Sequence, residues 1–244
     1  MVDKALFIDS SAAYDSMRQL EILSNNLANL GTIGFRADHE VFKPITIGND
    51  PKQVRVYSSL DKTFSNFEPG SSITTARDLD VAIAGPGFIA IQTKAGLEGY
   101  TRAGDLQLRS GFLTTRSGDF VKGSSGVIKI PNETERVIIG ADGSVSAKVP
   151  GQIDFVTVNH IKLTNPPLEK LEKGIDGNFY LPEGETAKPD ANIKLTPGTL
   201  ESSNVNAIQT LTDLIELSRN FEFHTNLMKQ FTDNAAKANQ LLSL

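Results

Sequence analysis

The sequence predicts an α+β fold in which N- and C-terminal helices pair as a coiled-coil-like bundle and the central domain is antiparallel and all-β. Three observations predict it. A helical apolar period fills the first thirty residues and returns more strictly over the last forty. All 11 prolines and all of the 20 glycines except Gly31 and Gly34 lie between residues 44 and 198. Short alternating apolar runs, separated by turn residues, recur through that interval.

The N-terminal element is predicted to be an amphipathic helix that begins between Asp3 and Ser10 and ends near Gly31. Polar side chains separate its apolar residues, as on a helix with one covered face. We assign residues 1–35 to this helix and the turn after it. The apolar residues recur at helical spacing: Leu6, Ala13, Met17, Leu20, Leu23, Leu27 and Leu30.

The middle of the chain divides into a connector and a β domain. Residues 36–75 follow neither a helical nor a strand period, so we expect an extended connector with some strand character. Residues 76–200 carry evenly spaced runs such as DLDVAIA, FIAIQ and RVIIGADGSVSAKV. The turn residues at 109–111 and 140–143 are hairpin signals. This spacing favours an antiparallel domain over βαβ units.

The C-terminal element, assigned to residues 201–244, has no proline or glycine from residue 205 onward. Its apolar residues alternate at three and four positions, which is typical of a coiled-coil seam. A helix of roughly 35 residues would be about 50 Å long. A second row, Ile208, Leu211 and Ile215, is expected to widen the seam on its first turns. The seam itself is Leu214, Leu217, Phe221, His224, Met228, Phe231, Ala235, Ala238 and Leu242.

Two arrangements could cover the apolar seams of these helices. Both helices could pack onto the β domain in an ordinary α+β fold. Alternatively, neighbouring subunits could complete the seams, because two helices alone leave part of each seam exposed to water. The strict heptad spacing and the length of the C-terminal helix favour the second arrangement.

Composition excludes several function classes. A net charge of −5, from 24 basic and 29 acidic side chains, argues against non-specific nucleic-acid binding. The chain has no cysteine, and its three histidines are far apart, so we predict no metal site. His39 and His160 are expected at the surface, and His224 is expected to be a packed, hydrogen-bonded histidine. No nucleotide-binding or nucleophile motif is present. We therefore predict no catalytic, metal-binding or cofactor-binding residue and no enzymatic activity.

Two other function classes stay open at this point. A β-rich enzyme such as a peptidoglycan hydrolase would need paired carboxylates across a cleft. Asp78 and Asp80 are such a pair in sequence, but a solvated strand edge or a local pairing with Arg77 explains them better. A carbohydrate- or protein-binding module would function as an isolated β domain without the termini. Deleting residues 1–30 would therefore leave a binding module functional, whereas an assembly subunit would no longer join its structure.

Neither a leader nor a membrane span is predicted. Charges at Asp3, Lys4 and Asp9 interrupt the N-terminus, so it lacks the apolar region of a cleaved signal peptide. The most apolar window, VAIAGPGFIAI, is only 11 residues long. We expect a soluble protein that is not inserted in a membrane.

The segment SNNLANLGTIGFR resembles the N-terminal signature of the bacterial flagellar rod and hook axial proteins, S-N-N-L-A-N-x-x-T-x-G-F-[KR]. The resemblance continues at GPGF (85–88), at YTRAGD (100–105), and at SSNVN with LIELSRNFEFH near the C-terminus. Leu214, Phe221 and His224 depart from the Met, Tyr and Asn of the family pattern. The matches lie at both ends and in the middle, so they cover most of the chain.

This resemblance implies a structural subunit of the flagellar drive shaft, located in the basal-body rod in the periplasmic space. It implies as partners copies of the chain itself, other rod proteins, and the flagellar type III export apparatus, which would export the chain without a cleaved signal peptide. The terminal helices would surround the axial channel. The short connector after Arg36 favours the proximal rod type, with the distal rod type and hook proteins as alternatives.

The same resemblance suggests which residues form the assembly interface. Asparagine is a poor interior helix former, so the Asn residues at the helix end are expected to satisfy polar groups of neighbouring chains, although local capping is an alternative for each one. Gly31 and Gly34 would let the chain turn sharply, and Phe35 would anchor the exit. The expected interface is Leu20, Leu23, Asn25, Asn26, Leu27, Asn29, Gly34, Phe35, Leu214, Leu217, Phe221, His224, Met228, Phe231 and Leu242.

Overall fold

A computed structural model describes residues 2–47, 55–131, 133–151 and 154–242 of the chain. It confirms the α+β class, with one helix near each terminus and antiparallel strands between them. The chain divides into two compact units, each assembled from separate segments. The first comprises Met1–Asn29, Ala37–Asn66 and Val205–Leu244, and the second comprises Leu30–Arg36 and Phe67–Asn204.

The first unit contains two helices and one hairpin. Helix α1 (Val2–Ala28) and helix α2 (Ala207–Leu242) contact each other. Strands β1 (Asp38–Ile47) and β2 (Arg55–Ser65) pair antiparallel, with Asp38 opposite Ser65, and both strands contact α1. This hairpin lies in the range expected to be a connector. A proline within β1, Pro44, and a register shift after Val41 explain why the segment shows no clean strand period.

An asparagine flanks each helix, Asn29 after the end of α1 and Asn206 before the start of α2. The Asn206 side-chain oxygen accepts hydrogen bonds from the backbone N–H of Ile208 (3.1 Å) and Gln209 (3.2 Å), which is N-cap geometry for α2. At the other end of the chain, α1 stops at Ala28, three residues before Gly31. Helix α2 has 36 residues, in agreement with the predicted length.

The second unit is built from antiparallel strands. Its largest sheet has nine strands in the order β15-β16-β6-β5-β9-β8-β7, with β10 on β9 and β14 on β5. A three-stranded sheet β11-β12-β13 and the pairs β17-β4 and β18-β3 complete it. The strands are β3 (Ser72–Thr74), β4 (Val81–Ala84), β5 (Phe88–Gln92), β6 (Glu98–Thr101), β7 (Gln107–Arg109), β8 (Phe112–Thr114), β9 (Phe120–Gly123), β10 (Gly126–Val127), β11 (Arg136–Ile139), β12 (Ser144–Lys148), β13 (Val156–His160), β14 (Leu163–Thr164), β15 (Glu172–Lys173), β16 (Phe179–Tyr180), β17 (Lys194–Pro197) and β18 (Thr199–Glu201).

Strand β5 separates two hydrophobic clusters in this unit. Ile89 and Ile91 face the main core, whereas Phe88 and Ala90 face a smaller cluster with Tyr100 and Phe179. Burial of each large apolar side chain contributes about 1.5–3 kcal/mol. The main core also includes Val81, Ile83, Leu106, Leu113, Val121, Ile128, Ile130, Val137, Ile139, Val145, Ala147, Ile161, Leu163, Ile193 and Leu195.

Both predicted hairpin turns are present. Ser110 and Gly111 join β7 to β8 with φ of 50° and 78°, and positive φ at both central residues is the pattern of a type I′ turn. The Gly140–Gly143 segment joins β11 to β12, and the Gly143 N–H donates to the Gly140 carbonyl at 3.0 Å.

Each of the paired carboxylates binds an arginine. Asp80 is buried rather than on a solvated edge, and it accepts hydrogen bonds from Arg77 Nη1 (2.9 Å) and Thr75 Oγ1 (2.8 Å). Asp78 binds Arg136, whose Nε lies 2.6 Å from the Asp78 Oδ2. The local pairing of Asp80 with Arg77 is therefore confirmed, and its solvated alternative is wrong.

Candidate assembly surfaces

Each helix has one shielded side, and that side includes residues at the spacing predicted for a seam. On α2, all six seam residues from Leu214 to Phe231 are half-buried, and the side chain of Leu242 lies outside the described part. On α1, the shielded side includes a row that alternates at four and three positions, Asp9, Ala13, Ser16, Leu20, Leu23 and Leu27, with further shielded residues such as Ile22 and Asn26 beside it. Helix α1 contacts α2 and both strands of the hairpin, and these elements together cover this side.

One polar pair lies between these shielded sides. His224 Nδ1 is 2.6 Å from Asp9 Oδ1, so the prediction of a packed, hydrogen-bonded histidine is confirmed. The second oxygen of Asp9 is buried and has no hydrogen-bond partner among the described residues. The imidazole thus fills the polar position where the family pattern has Asn. His39 and His160 are exposed, as predicted.

A separate row of apolar side chains on α2 faces outward. Ile208, Leu211 and Ile215 are 80%, 46% and 53% exposed, so the prediction that they widen the seam is wrong. Tyr14 and Met17 on α1 are also largely exposed. The reason is geometric, because a stripe with 3.5-residue spacing covers only one narrow side of a helix. Contiguous exposed apolar side chains mark surfaces that bind other proteins.

The asparagines of the first motif bind within the chain. Asn26 is buried, and its amide donates to the Asp38 carbonyl (2.8 Å) while its oxygen accepts from the Asp38 N–H (2.9 Å). Asn29 Nδ2 donates to the Asn25 carbonyl at 3.0 Å, one of the last carbonyls of α1. Asn26 therefore holds the start of β1 against the end of α1, and the Asn29 side chain caps the last turn of α1.

Gly34 occupies a position in the second unit that only glycine fits. Its φ is +68°, and a Cβ placed there would lie 2.3 Å from the carbonyl carbon of Arg102. Its N–H donates to the Glu201 carbonyl at 2.8 Å. Phe35, the next residue, is buried, and Lys173 Nζ lies 3.8 Å from the centre of its ring.

Glu201 lies between two buried guanidinium groups in the same unit. Arg36 Nη2 donates to Oε1 at 2.6 Å, and Arg102 Nη1 donates to Oε2 at 3.0 Å. Burial lowers the pKa of Arg102 from its ordinary value, while the charge of Glu201 opposes this and that of Arg36 adds to it. The Gly70 N–H also donates to Glu201 Oε1, at 3.0 Å. The carboxylate thereby ties together three distant parts of the chain.

The four motifs of the sequence meet at this junction. Gly34, Phe35 and Arg36 end the first motif, and Arg102 belongs to YTRAGD and donates to the carbonyl of Gly85 in GPGF at 2.8 Å. The backbone N–H of Asn204, in SSNVN, donates to the Phe35 carbonyl at 3.4 Å. Sequence reasoning missed Glu201 as the partner of Arg36 and Arg102 as the second cation on the same carboxylate. The only available signal was that each lies within or directly beside a motif.

The described part of the chain has neither a metal-binding cluster nor a membrane-spanning helix. No group of three or more His, Asp or Glu side chains there is arranged to hold a metal ion. No helix in those ranges is long and apolar enough to cross a membrane.

The chain combines two contacting terminal helices, exposed apolar rows on those helices and a central β unit. These features are those of an α+β structural subunit. Two family models match it. One, the flagellar hook protein FlgE/F/G D1 domain, matches residues 82–147, and the other, the flagellar basal body rod FlgEFG protein C-terminal, matches residues 196–241.

Curated relatives match the whole chain. It is 33% identical over 251 residues to the flagellar basal-body rod protein FlgF of Escherichia coli (strain K12), and 31% identical over 251 residues to that of Salmonella typhimurium (strain LT2), covering 100% of each chain in both cases. The rod protein FlgG of Buchnera aphidicola subsp. Schizaphis graminum is 28% identical over 264 residues, covering 97% of this chain and 99% of FlgG. The chain belongs to the flagellar basal-body rod protein family and, within it, is most like FlgF.

Proposed function

We propose that the chain is a structural subunit of the proximal rod of the bacterial flagellar basal body. It polymerises around the export channel and transmits torque. Family membership supports this function, and the higher identity to FlgF than to FlgG supports the proximal position. A distal rod subunit of FlgG type is the second candidate, because FlgG relatives also align over nearly the full chain.

The observation that carries the proposal is the pair of apolar rows left exposed on contacting helices. The two helices contact each other, and Ile208, Leu211 and Ile215 still face outward. We infer that α1 and α2 pair as a coiled coil and that neighbouring subunits cover the remaining sides. Ordering of the helix ends is then completed during assembly.

The residues of the expected interface act in two ways in this proposal. The leucines of α1 and the seam of α2, including Leu242, form the coiled-coil surface that neighbouring subunits complete. Asn26, Gly34 and Phe35 contribute indirectly, because their contacts within the chain fix the end of α1 and the junction after it. Asn25 and Asn29 lie at the end of α1, where this proposal places them beside a neighbouring chain.

The functional division of the chain follows from these roles. Residues 1–35 and 201–244 would form the inner layer around the channel, residues 76–200 the outer β domain, and residues 36–75 the connector. The partners are copies of the chain, neighbouring rod proteins and the type III export apparatus. The location is the periplasmic rod, reached without a cleaved signal peptide. In this role the chain has no catalytic function.

Deletion of residues 2–30 tests the assembly role against a binding-module role. A strain that lacks the gene is complemented with the full chain or with the deletion variant, and swimming and rod completion are measured. We expect the full chain to restore both and the deletion variant to restore neither, although it retains the β domain. Restoration by the deletion variant would show that the β domain acts alone.

A further inference from the structure

The first unit contains a buried carboxylate without a hydrogen-bond partner. The Glu40 side chain is 4% exposed, and neither of its oxygens has a hydrogen-bond partner among the described residues. Arg18 Nε forms an ion pair with Glu40 at 3.9 Å, but this distance is too long for a hydrogen bond. Burial raises the pKa of Glu40, Arg18 opposes the rise, and Asp15 and Glu21 add to it. The long ion pair with Arg18 leaves both carboxylate oxygens without a hydrogen-bond donor, a deficit that a second, closer cation would fill.

Glu40 lines a groove that α1, β1 and α2 enclose. The groove has a volume of about 320 Å³. Its walls combine apolar side chains, Ile22, Leu23 and Leu217, with the acidic side chains of Asp213 and Glu216. A cationic group carried on an apolar surface matches both properties. An anion or a purely apolar group matches only one.

The opposite side of α2 carries a surface of that description, which we call the ridge: Ile208, Leu211, Ile215 and Arg219. All four side chains are exposed, and Arg219 forms no ion pair with any residue in the described ranges. At about 100° per residue, the ridge spans an arc of about 80° on the helix. The groove residues of α2 lie roughly opposite that arc.

We propose that the groove of one copy binds the ridge of a second copy, with the Arg219 guanidinium paired to Glu40. Guanidinium suits this position because its planar fork can donate two hydrogen bonds to one carboxylate. Each copy has both surfaces on different sides, so the contact is head-to-tail and can repeat, as an axial assembly requires. The inference rests on the proposed function for its biological role, but the purified chain suffices to test it.

The absence of cysteine from the chain permits a direct cross-linking test. One batch of full-length chain carries Gln19→Cys, at the groove, and a second batch carries Ile215→Cys and a longer tag. The mixed batches are oxidised, and products are separated without reductant. We expect the mixed dimer to exceed each homodimer severalfold. In the control, a batch carrying Lys94→Cys, at an exposed position of the second unit, replaces the Gln19→Cys batch. Its mixed dimer and homodimers should form only in random proportions.

The charge pair is tested in the same assay. We expect Glu40→Gln or Arg219→Gln to slow formation of the mixed dimer roughly tenfold or more. Glu185→Gln, which removes an exposed charge that pairs with Lys170, should leave the rate unchanged. Glu40→Gln should not lower the thermal unfolding midpoint, because a carboxyl group with a raised pKa destabilises the fold once ionised. Slower cross-linking without unfolding therefore isolates the contact.

Three outcomes would overturn this inference. One is a random mixture of dimers, another is a rate insensitive to Glu40→Gln, and the third is a groove cysteine that cross-links only to a different rod protein in isolated basal bodies. Any of these is compatible with the chain being present in the rod. Absence of the chain from the rod would instead refute the proposed function and leave the purified-chain result intact.

Discussion

At the scale of single residues, the junction around Glu201 explains why the motif positions hold particular residue types. Arg36 and Glu201 are 165 positions apart, yet they form a 2.6 Å ion pair that is almost completely buried. Breaking such a pair from one side costs about 3–5 kcal/mol, because a buried charge is left alone. Sequence reasoning located Arg36 through its motif. It could not locate the pairing, since nothing local to Arg36 indicates a partner so far along the chain.

The two glycines of the first motif are predicted to differ in their tolerance of a side chain. We expect Gly34→Ala to lower the free energy of unfolding by about 2 kcal/mol or more, because the added Cβ meets the Arg102 backbone at positive φ. Gly31→Ala should change it by less than about 1 kcal/mol, since nothing lies within 4 Å of a Cβ there. Chemical denaturation of the two full-length variants measures both values. Equal effects would contradict the role assigned to Gly34.

At the scale of elements, the half-buried side of α2 was predictable and the hairpin was not. The three- and four-residue alternation is a local property of the sequence, and all six described seam side chains are half-buried. The hairpin of β1 and β2 depends on pairing between strands that have no apolar period, with Pro44 in one of them. The prediction that the second row of α2 widens the seam was wrong. Periodicity shows that residues share one side of a helix, but it does not show what covers that side.

Two seam substitutions test the assembly role of the helices. We expect Leu27→Asp or Phe221→Ser to abolish swimming, because a charge or a lost ring in the seam disrupts contacts of the helices with each other and with neighbouring subunits. The second unit should stay folded, with protected amide hydrogens in β5. Asn226→Ser, at an exposed position of α2, is the control and should swim normally. Normal swimming and rod assembly in either seam variant would refute the seam assignment.

At the scale of the whole molecule, the chain alternates between its two units, and each unit contains segments from distant parts of the sequence. The division into helical ends and a β-rich middle followed from the positions of proline and glycine, which exclude long helices between residues 44 and 198. The placement of the hairpin with the helices did not follow, because contacts between distant segments have no local signature. The physical patterns alone are compatible with an assembly subunit and with a binding module. Family membership favours the assembly subunit.

The central claim is that the chain is a rod subunit whose terminal helices meet neighbouring subunits. Electron cryo-microscopy of basal bodies purified from the bacterium tests it most directly. The account predicts density for this chain in the proximal rod, with α1 and α2 beside the axial channel and Leu27 and Phe221 in contacts between helices. Basal bodies that lack the chain, or a rod in which both helices point away from every neighbouring subunit, would contradict it.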